Sequence, residues 1–133
     1  MRRAAPPAVA KRPVVLIIDD DEHVLSTFGT WLQADGYDVR TACDGAAGLA
    51  QVQGVDAILL DARMPGLDGL GFLERLRAGG GSAPVAVITG DYLIDDRILD
   101  RLEHLDARIV FKPLWLEDLT ELARSLAFGA APA

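Results

Sequence analysis

Four apolar runs in this chain each stop at residues that can do chemistry. Asp19, Asp20 and Asp21 follow residues 14–18, and Asp61 follows Ile58, Leu59 and Leu60 at the mouth of a Met64-Pro65-Gly66 loop. Thr89 follows residues 85–88, and Lys112 with Pro113 follows Ile109, Val110 and Phe111. Two like charges about 4 Å apart repel by roughly 4 kcal/mol at an effective dielectric near 20. Aspartates gathered in one pocket therefore call for a cation, and oxygen donors of this kind suit Mg²⁺, with Mn²⁺ as the alternative. A carboxylate relieved of charge repulsion by such an ion is a nucleophile toward phosphorus. A lysine and a hydroxyl are then the groups that a transferred phosphoryl group needs around its oxygens. Asp21 has a simpler role as the N-cap of the helix that follows.

The elements that must carry these groups follow from periodicity. Residues 14–18 are a continuous β-branched run, the pattern of a strand covered on both faces. Residues 22–35 place Val24, Leu25, Phe28, Trp31 and Leu32 at helical spacing, between Asp21 as cap and Gly36 as stop, which assigns Trp31 to the core. A second strand is expected at 37–42, then a helix capped by Asp44 that runs through Val52, and a third strand at 55–60. A helix at 69–78 turns Leu70, Phe72, Leu73 and Leu76 inward, and Gly79, Gly80, Gly81 and Ser82 link it to a fourth strand at 84–88. A helix at 94–105 with Ile98, Leu99 and Leu102 on one face, a strand at 108–111 and a helix at 116–127 complete the series. Strict alternation implies a parallel sheet with helices on both faces, a three-layer doubly wound α/β domain. Ligands of such folds sit outside the carboxyl ends of the strands, where every residue named above falls.

At 133 residues the chain fits one domain, placed at 13–128, with tails at 1–12 and 129–133 that are expected to be disordered and no separate output domain. Its formal net charge of −7 argues against direct binding to nucleic acid, and the basic residues Arg2, Arg3, Lys11 and Arg12 read as a solvated leader. No run reaches membrane-spanning length, and the first residues lack the apolar centre of a signal peptide. A single cysteine, Cys43, excludes an internal disulfide, fits a cytoplasmic location, and reads as a small apolar filler at a strand end.

In this order the acids, the threonine and the Lys-Pro pair resemble the receiver domain of bacterial two-component response regulators, over nearly the whole of 13–128. The resemblance implies a flavodoxin-like (βα)5 fold with strand order 2-1-3-4-5. It implies Asp61 as phosphoacceptor, assisted by Thr89 and Lys112, with a cis Lys112–Pro113 bond. It assigns the metal to Asp20, Asp61 and the backbone carbonyl of Arg63, with Asp19 helping through water, and adds the backbone N–H groups of Ala62 and Gly90 as donors to the phosphoryl group. The donor would be a sensor histidine kinase or a phosphotransfer protein, and the response a changed surface of the fourth helix, fifth strand and fifth helix. The downstream protein target is unknown from sequence, a homodimer is left open, and no membrane contact is implied. Such a protein is no enzyme toward other molecules; it catalyses only its own phosphorylation and slow autodephosphorylation.

Several positions depart from that pattern. Receivers commonly carry Tyr or Phe three residues before the lysine, where this chain has Ile109. The aromatic readout is thereby lost or passed to Phe111 or the Tyr92 loop, and the alternative is a degenerate receiver that binds partners without phosphorylation. Arg63 and Asp91, two residues past Asp61 and Thr89, are expected to pair across the pocket mouth. A small-molecule phosphotransferase with an aspartyl-phosphate intermediate would carry a second acid where Arg63 stands. Trp115 is read as a surface aromatic, and His23 and His104 as helix-surface residues.

Overall fold

Val14–Ile18 carries no polar side chain, and it forms β1 with its last four residues buried. The computed structural model describes residues 12–62, 68–91 and 93–129, so most of both expected tails lies outside it. Strands β2 (Asp38–Ala42), β3 (Ala57–Asp61), β4 (Val85–Thr89) and β5 (Ala107–Phe111) join β1 in one sheet of order β2-β1-β3-β4-β5. Every pairing is parallel. Helices α1 (Glu22–Ala34), α2 (Gly45–Leu49), α3 (Gly69–Ala78), α4 (Asp96–His104) and α5 (Leu116–Phe128) alternate with the strands.

The two-residue period of the strands divides the core into two layers. Val15, Ile17, Ala57, Leu59, Ala86 and Ile88 face the layer shared with α1 and α5. Leu16, Ile18, Ile58, Leu60, Val85 and Val87 face the layer that holds Phe72, Leu73 and Leu76 of α3 and Leu102 of α4. Burial of each large aliphatic side chain contributes about 1.5–3 kcal/mol, so both layers hold the strand ends rigidly. Carboxylates begin most of the helices. Asp21, Asp44, Asp68 and Asp95 each accept a hydrogen bond from a first-turn N–H, at 2.7–2.8 Å. This both satisfies otherwise unpaired donors and opposes the positive end of the helix dipole.

Four expectations need correction. Trp31 is 38% exposed instead of buried, because α5 crosses α1 there and its indole N–H donates to the Thr120 hydroxyl at 2.7 Å. Helix α2 ends at Leu49, short of Val52, and the chain then turns so that Gln51 and Gln53 carbonyls accept from the Arg40 guanidinium. Helix α4 starts at Asp96, after the Asp95 cap, and Ile98 is 40% exposed while Leu102 alone of the helix is fully buried. Cys43 is exposed, since the chain leaves the sheet after Ala42.

Candidate phosphoacceptor site

Each chemically competent side chain sits at the carboxyl end of a strand because the apolar run that forms the strand leads directly into it. Asp61 and Thr89 are the last residues of β3 and β4, one position inside the strands and not in the loops, and they are 8% and 2% exposed. Asp19 follows β1 directly and is 7% exposed, while Asp20 is exposed. The order in which β1, β3, β4 and β5 lie side by side brings these groups together from four separate parts of the chain.

Asp19, Asp20 and Asp61 each offer a carboxylate oxygen, and the three oxygens lie within 4.8 Å of one another. Lys112 Nζ stands 3.7 Å from Asp61 Oδ1. Asp61, Thr89, Gly90, Asp91 and Lys112 line one cleft of about 410 Å³. Burial pushes the Asp19 carboxyl up to about 6; the Asp21 N–H, which donates to Asp19 Oδ1 at 2.9 Å, opposes this, and the charge of Asp61 adds to it. A buried carboxylate crowded by a second one is the environment that a divalent cation relieves, and an all-oxygen donor set fits Mg²⁺ or Mn²⁺. The residues present thus fit such an ion.

Asp21 serves as the cap of α1 and accepts from the His23 N–H at 2.8 Å. The Ala62 N–H, which the resemblance assigned to the phosphoryl group, donates to the Ile88 carbonyl at 3.0 Å and extends the β3–β4 ladder. Gly90 does line the cleft. The Lys112–Pro113 bond is cis, and the Lys112 N–H donates to the Thr89 carbonyl at 2.8 Å, tying the two strand ends together. Thr89 also accepts at Oγ1 from the Asp91 N–H at 3.0 Å, which fixes the start of the loop after β4. Arg63, and with it the expected carbonyl ligand and the pairing with Asp91, lies outside the described residues, as does Tyr92. Ile109 packs half-buried against the α3–α4 layer. Thr89 borders a second cavity of about 230 Å³ with Leu70, Val87, Ile94, Ile98 and Leu102 on that side of the sheet.

The profile of the response regulator receiver domain matches residues 15–124. The chain belongs to the receiver domain family of response regulators. It is 38% identical over 116 residues to the transcriptional regulatory protein PrrA of Mycobacterium tuberculosis, covering 86% of this chain and 49% of that protein. It is 35% identical over 123 residues to the response regulator MprA of Mycobacterium avium, covering 89% of this chain and 52% of that protein. The receiver spans about half the length of these curated relatives. Among solved structures, the chemotaxis protein CheY4 of Vibrio cholerae superposes with a TM-score of 0.78 at 26% identity, covering 87% of this chain and 99% of that one. A response regulator receiver protein from Pseudomonas putida gives 0.77 at 27% identity, with coverages of 88% and 99%. The (βα)5 fold, its strand order and its family are those that the resemblance to receivers implied.

Sequence reasoning missed Arg77. Its guanidinium donates to the carbonyls of Leu105 and Ala83 at 2.8 Å, Gly81 at 3.1 Å and Asp106 at 3.4 Å, tying α3 to the turns that lead into β4 and β5. No local pattern announces a contact between residues 28 positions apart.

Proposed function

We propose that the receiver takes a phosphoryl group onto Asp61 from the phosphohistidine of a sensor histidine kinase or a phosphotransfer protein. What supports this most is the placing of the buried Asp61 carboxylate in one cleft with Lys112 and Thr89, beside Asp19 and Asp20. An Asp61 oxygen forms the new P–O bond as the P–N bond breaks, and the departing ring nitrogen takes up a proton. Asp19, Asp20 and Asp61 would hold Mg²⁺ or Mn²⁺, which supplies the positive charge that offsets repulsion between carboxylate and phosphate. Lys112 balances charge from the β5 side, the Thr89 hydroxyl donates to a phosphoryl oxygen, and the Gly90 backbone adds a donor. The receiver acts once on itself, and water later removes the group slowly; it is not an enzyme for other substrates.

The added charge of about −1.5 to −2 draws the Thr89 hydroxyl toward Asp61. Thr89 borders both the acidic cleft and the cavity under α4, so its movement changes the packing of Ile94 and Ile98 and with it the surface of α4, β5 and α5. That surface, with Trp115 65% exposed at the start of α5, meets a downstream protein or a second copy. Among the described residues no helix is long and apolar enough to cross a membrane, and we place the protein in the cytoplasm as a phosphorelay component. One observation favours a second reading, a degenerate receiver that binds without phosphorylation: Ile109 occupies, half-buried, the position where receivers place a mobile ring.

The test is intact-mass spectrometry after incubation with acetyl phosphate, with and without Mg²⁺, on the wild type and Asp61→Asn. A Mg²⁺-dependent gain of one phosphoryl group that the variant lacks is expected. No gain in the wild type from acetyl phosphate or from a phosphorylated phosphotransfer domain would leave the degenerate reading.

A further inference from the structure

Gly69, the first residue of α3, is the place where this helix meets the backbone that carries Asp61. A Cβ there would stand 3.1 Å from the Asp61 carbonyl oxygen, 3.1 Å from Ala62 Cα and 3.3 Å from the Ala62 carbonyl oxygen. Each of these is tighter than the ordinary van der Waals contact of a Cβ, which begins near 3.4 Å. All three atoms are main chain, so no side chain can rotate away. The remaining described glycines that face a tight contact differ in kind. A Cβ at Gly48 would meet the Ile18 and Phe72 side chains, and one at Gly81 mainly that of Leu76. Nor does conformation explain the residue, since φ at Gly69 lies outside the left-handed range that Gly36, Gly54, Gly80 and Gly129 adopt. Space, and not backbone conformation, is what disfavours a side chain at 69.

The contact is held from both sides. The Gly69 N–H donates weakly to the Ala62 carbonyl at 3.4 Å, and Asp68 fixes the helix start by accepting from the Gly71 N–H at 2.8 Å. Phe72, Leu73 and Leu76 seat the helix in the core and prevent it from retreating. On the other side, the Ala62 N–H holds the same peptide segment to β4. A methyl group wedged between these two fixed bodies shifts the Asp61–Ala62 segment by tenths of an ångström. That is the scale on which a reacting group must be held, within about 0.5 Å.

We propose that Gly69 is a positioning residue for Asp61: the missing side chain at the first turn of α3 sets the place of the phosphoacceptor carboxylate relative to Lys112, Asp19 and Asp20. This inference rests on the assignment of Asp61 as phosphoacceptor. The test compares wild type, Gly69→Ala and Gly81→Ala, all at saturating Mg²⁺, by the rate of phosphorylation from acetyl phosphate and by the amide ¹H–¹⁵N shifts of residues 61, 62 and 88. Gly69→Ala is expected to slow phosphorylation on the order of tenfold and to move those three amide signals while the rest of the spectrum stays folded. Gly81→Ala, which strains a remote packing contact, is expected to lower the unfolding midpoint yet stay within about twofold of the wild-type rate, since it leaves the reacting groups in place. Should Gly69→Ala fold poorly, the comparison is made in 1 M trimethylamine N-oxide, which favours the compact state. A rate for folded Gly69→Ala within twofold of wild type, equal slowing by Gly81→Ala, or a chain that stays unfolded even in the osmolyte would overturn the proposal. A wild type that takes up no phosphoryl group would instead overturn the assignment of Asp61.

Discussion

In metal-free buffer, Asp19→Asn should make the protein more stable at neutral pH. The Asp19 carboxyl is raised from 3.8 to about 6, chiefly by burial and further by the Asp61 charge, against the lowering effect of the Asp21 N–H. Its folded value lies above its unfolded value, so the native state binds more protons between those two values. The Asp19 contribution to stability is accordingly greatest below pH 3.8, declines as pH rises from there through 6, and is lost above that. A shift of this size corresponds to about 3 kcal/mol at most, from about 1.4 kcal/mol per pH unit. Coulomb's law gives a similar ceiling, about 3 kcal/mol for two charges about 5 Å apart at a dielectric near 20. Exposed Asp20 belongs to the same cluster, so solvent screens these charges and the expected effect is about 1–3 kcal/mol. Asparagine keeps an oxygen to accept from the Asp21 N–H, which isolates the charge from the hydrogen bond. The assay is urea unfolding in EDTA at pH 7.5 and pH 4. The variant should gain about 1–3 kcal/mol at pH 7.5 and lose nearly all of that advantage at pH 4. Adding Mg²⁺ at pH 7.5 should stabilise the wild type more than the variant and narrow the gap. A variant no more stable than wild type at pH 7.5, or an advantage unchanged at pH 4, would refute the electrostatic account of the cluster.

Two further outcomes follow from contacts outside the cleft. Arg77→Met keeps much of the side-chain volume but removes the donors to four carbonyls, and burial already lowers the guanidinium pKa; we expect a loss of about 2–4 kcal/mol in urea unfolding, and a loss under about 1 kcal/mol would mean that water replaces the donors. Trp31→Phe and Thr120→Val should each cost about 0.5–1.5 kcal/mol, and the double variant less than their sum, because both remove the same bond between α1 and α5; strict additivity in the cycle would count against that bond.

The readings that held were those in which a local pattern coincides with its cause. Apolar runs that lead into Asp, Thr or Lys place those groups at strand ends whatever the neighbours are, and Asp21 and Asp44 cap the helices that directly follow them. The readings that failed depend on what crosses an element from elsewhere in the chain. Helical spacing points Trp31 inward, but α5 lies over that turn, so the ring spans a helix–helix groove and its N–H finds Thr120. The same spacing points Ile98 inward, yet α4 is short and only Leu102 reaches full burial.

By itself, then, the sequence determined the alternation of strands and helices, the chemical kind of each group at the sheet's carboxyl edge, and the family those groups announce, because each of these depends on residues near one another in the chain. Tertiary structure alone decided the distances: the carboxylates within 4.8 Å, Lys112 at 3.7 Å from Asp61, the Ala62 N–H given to β4, and the backbone of Asp61 resting against Gly69. Those depend on the order in which strands lie side by side and on how closely α3 packs, and a parallel sheet joins residues far apart in sequence through contacts that no single segment encodes.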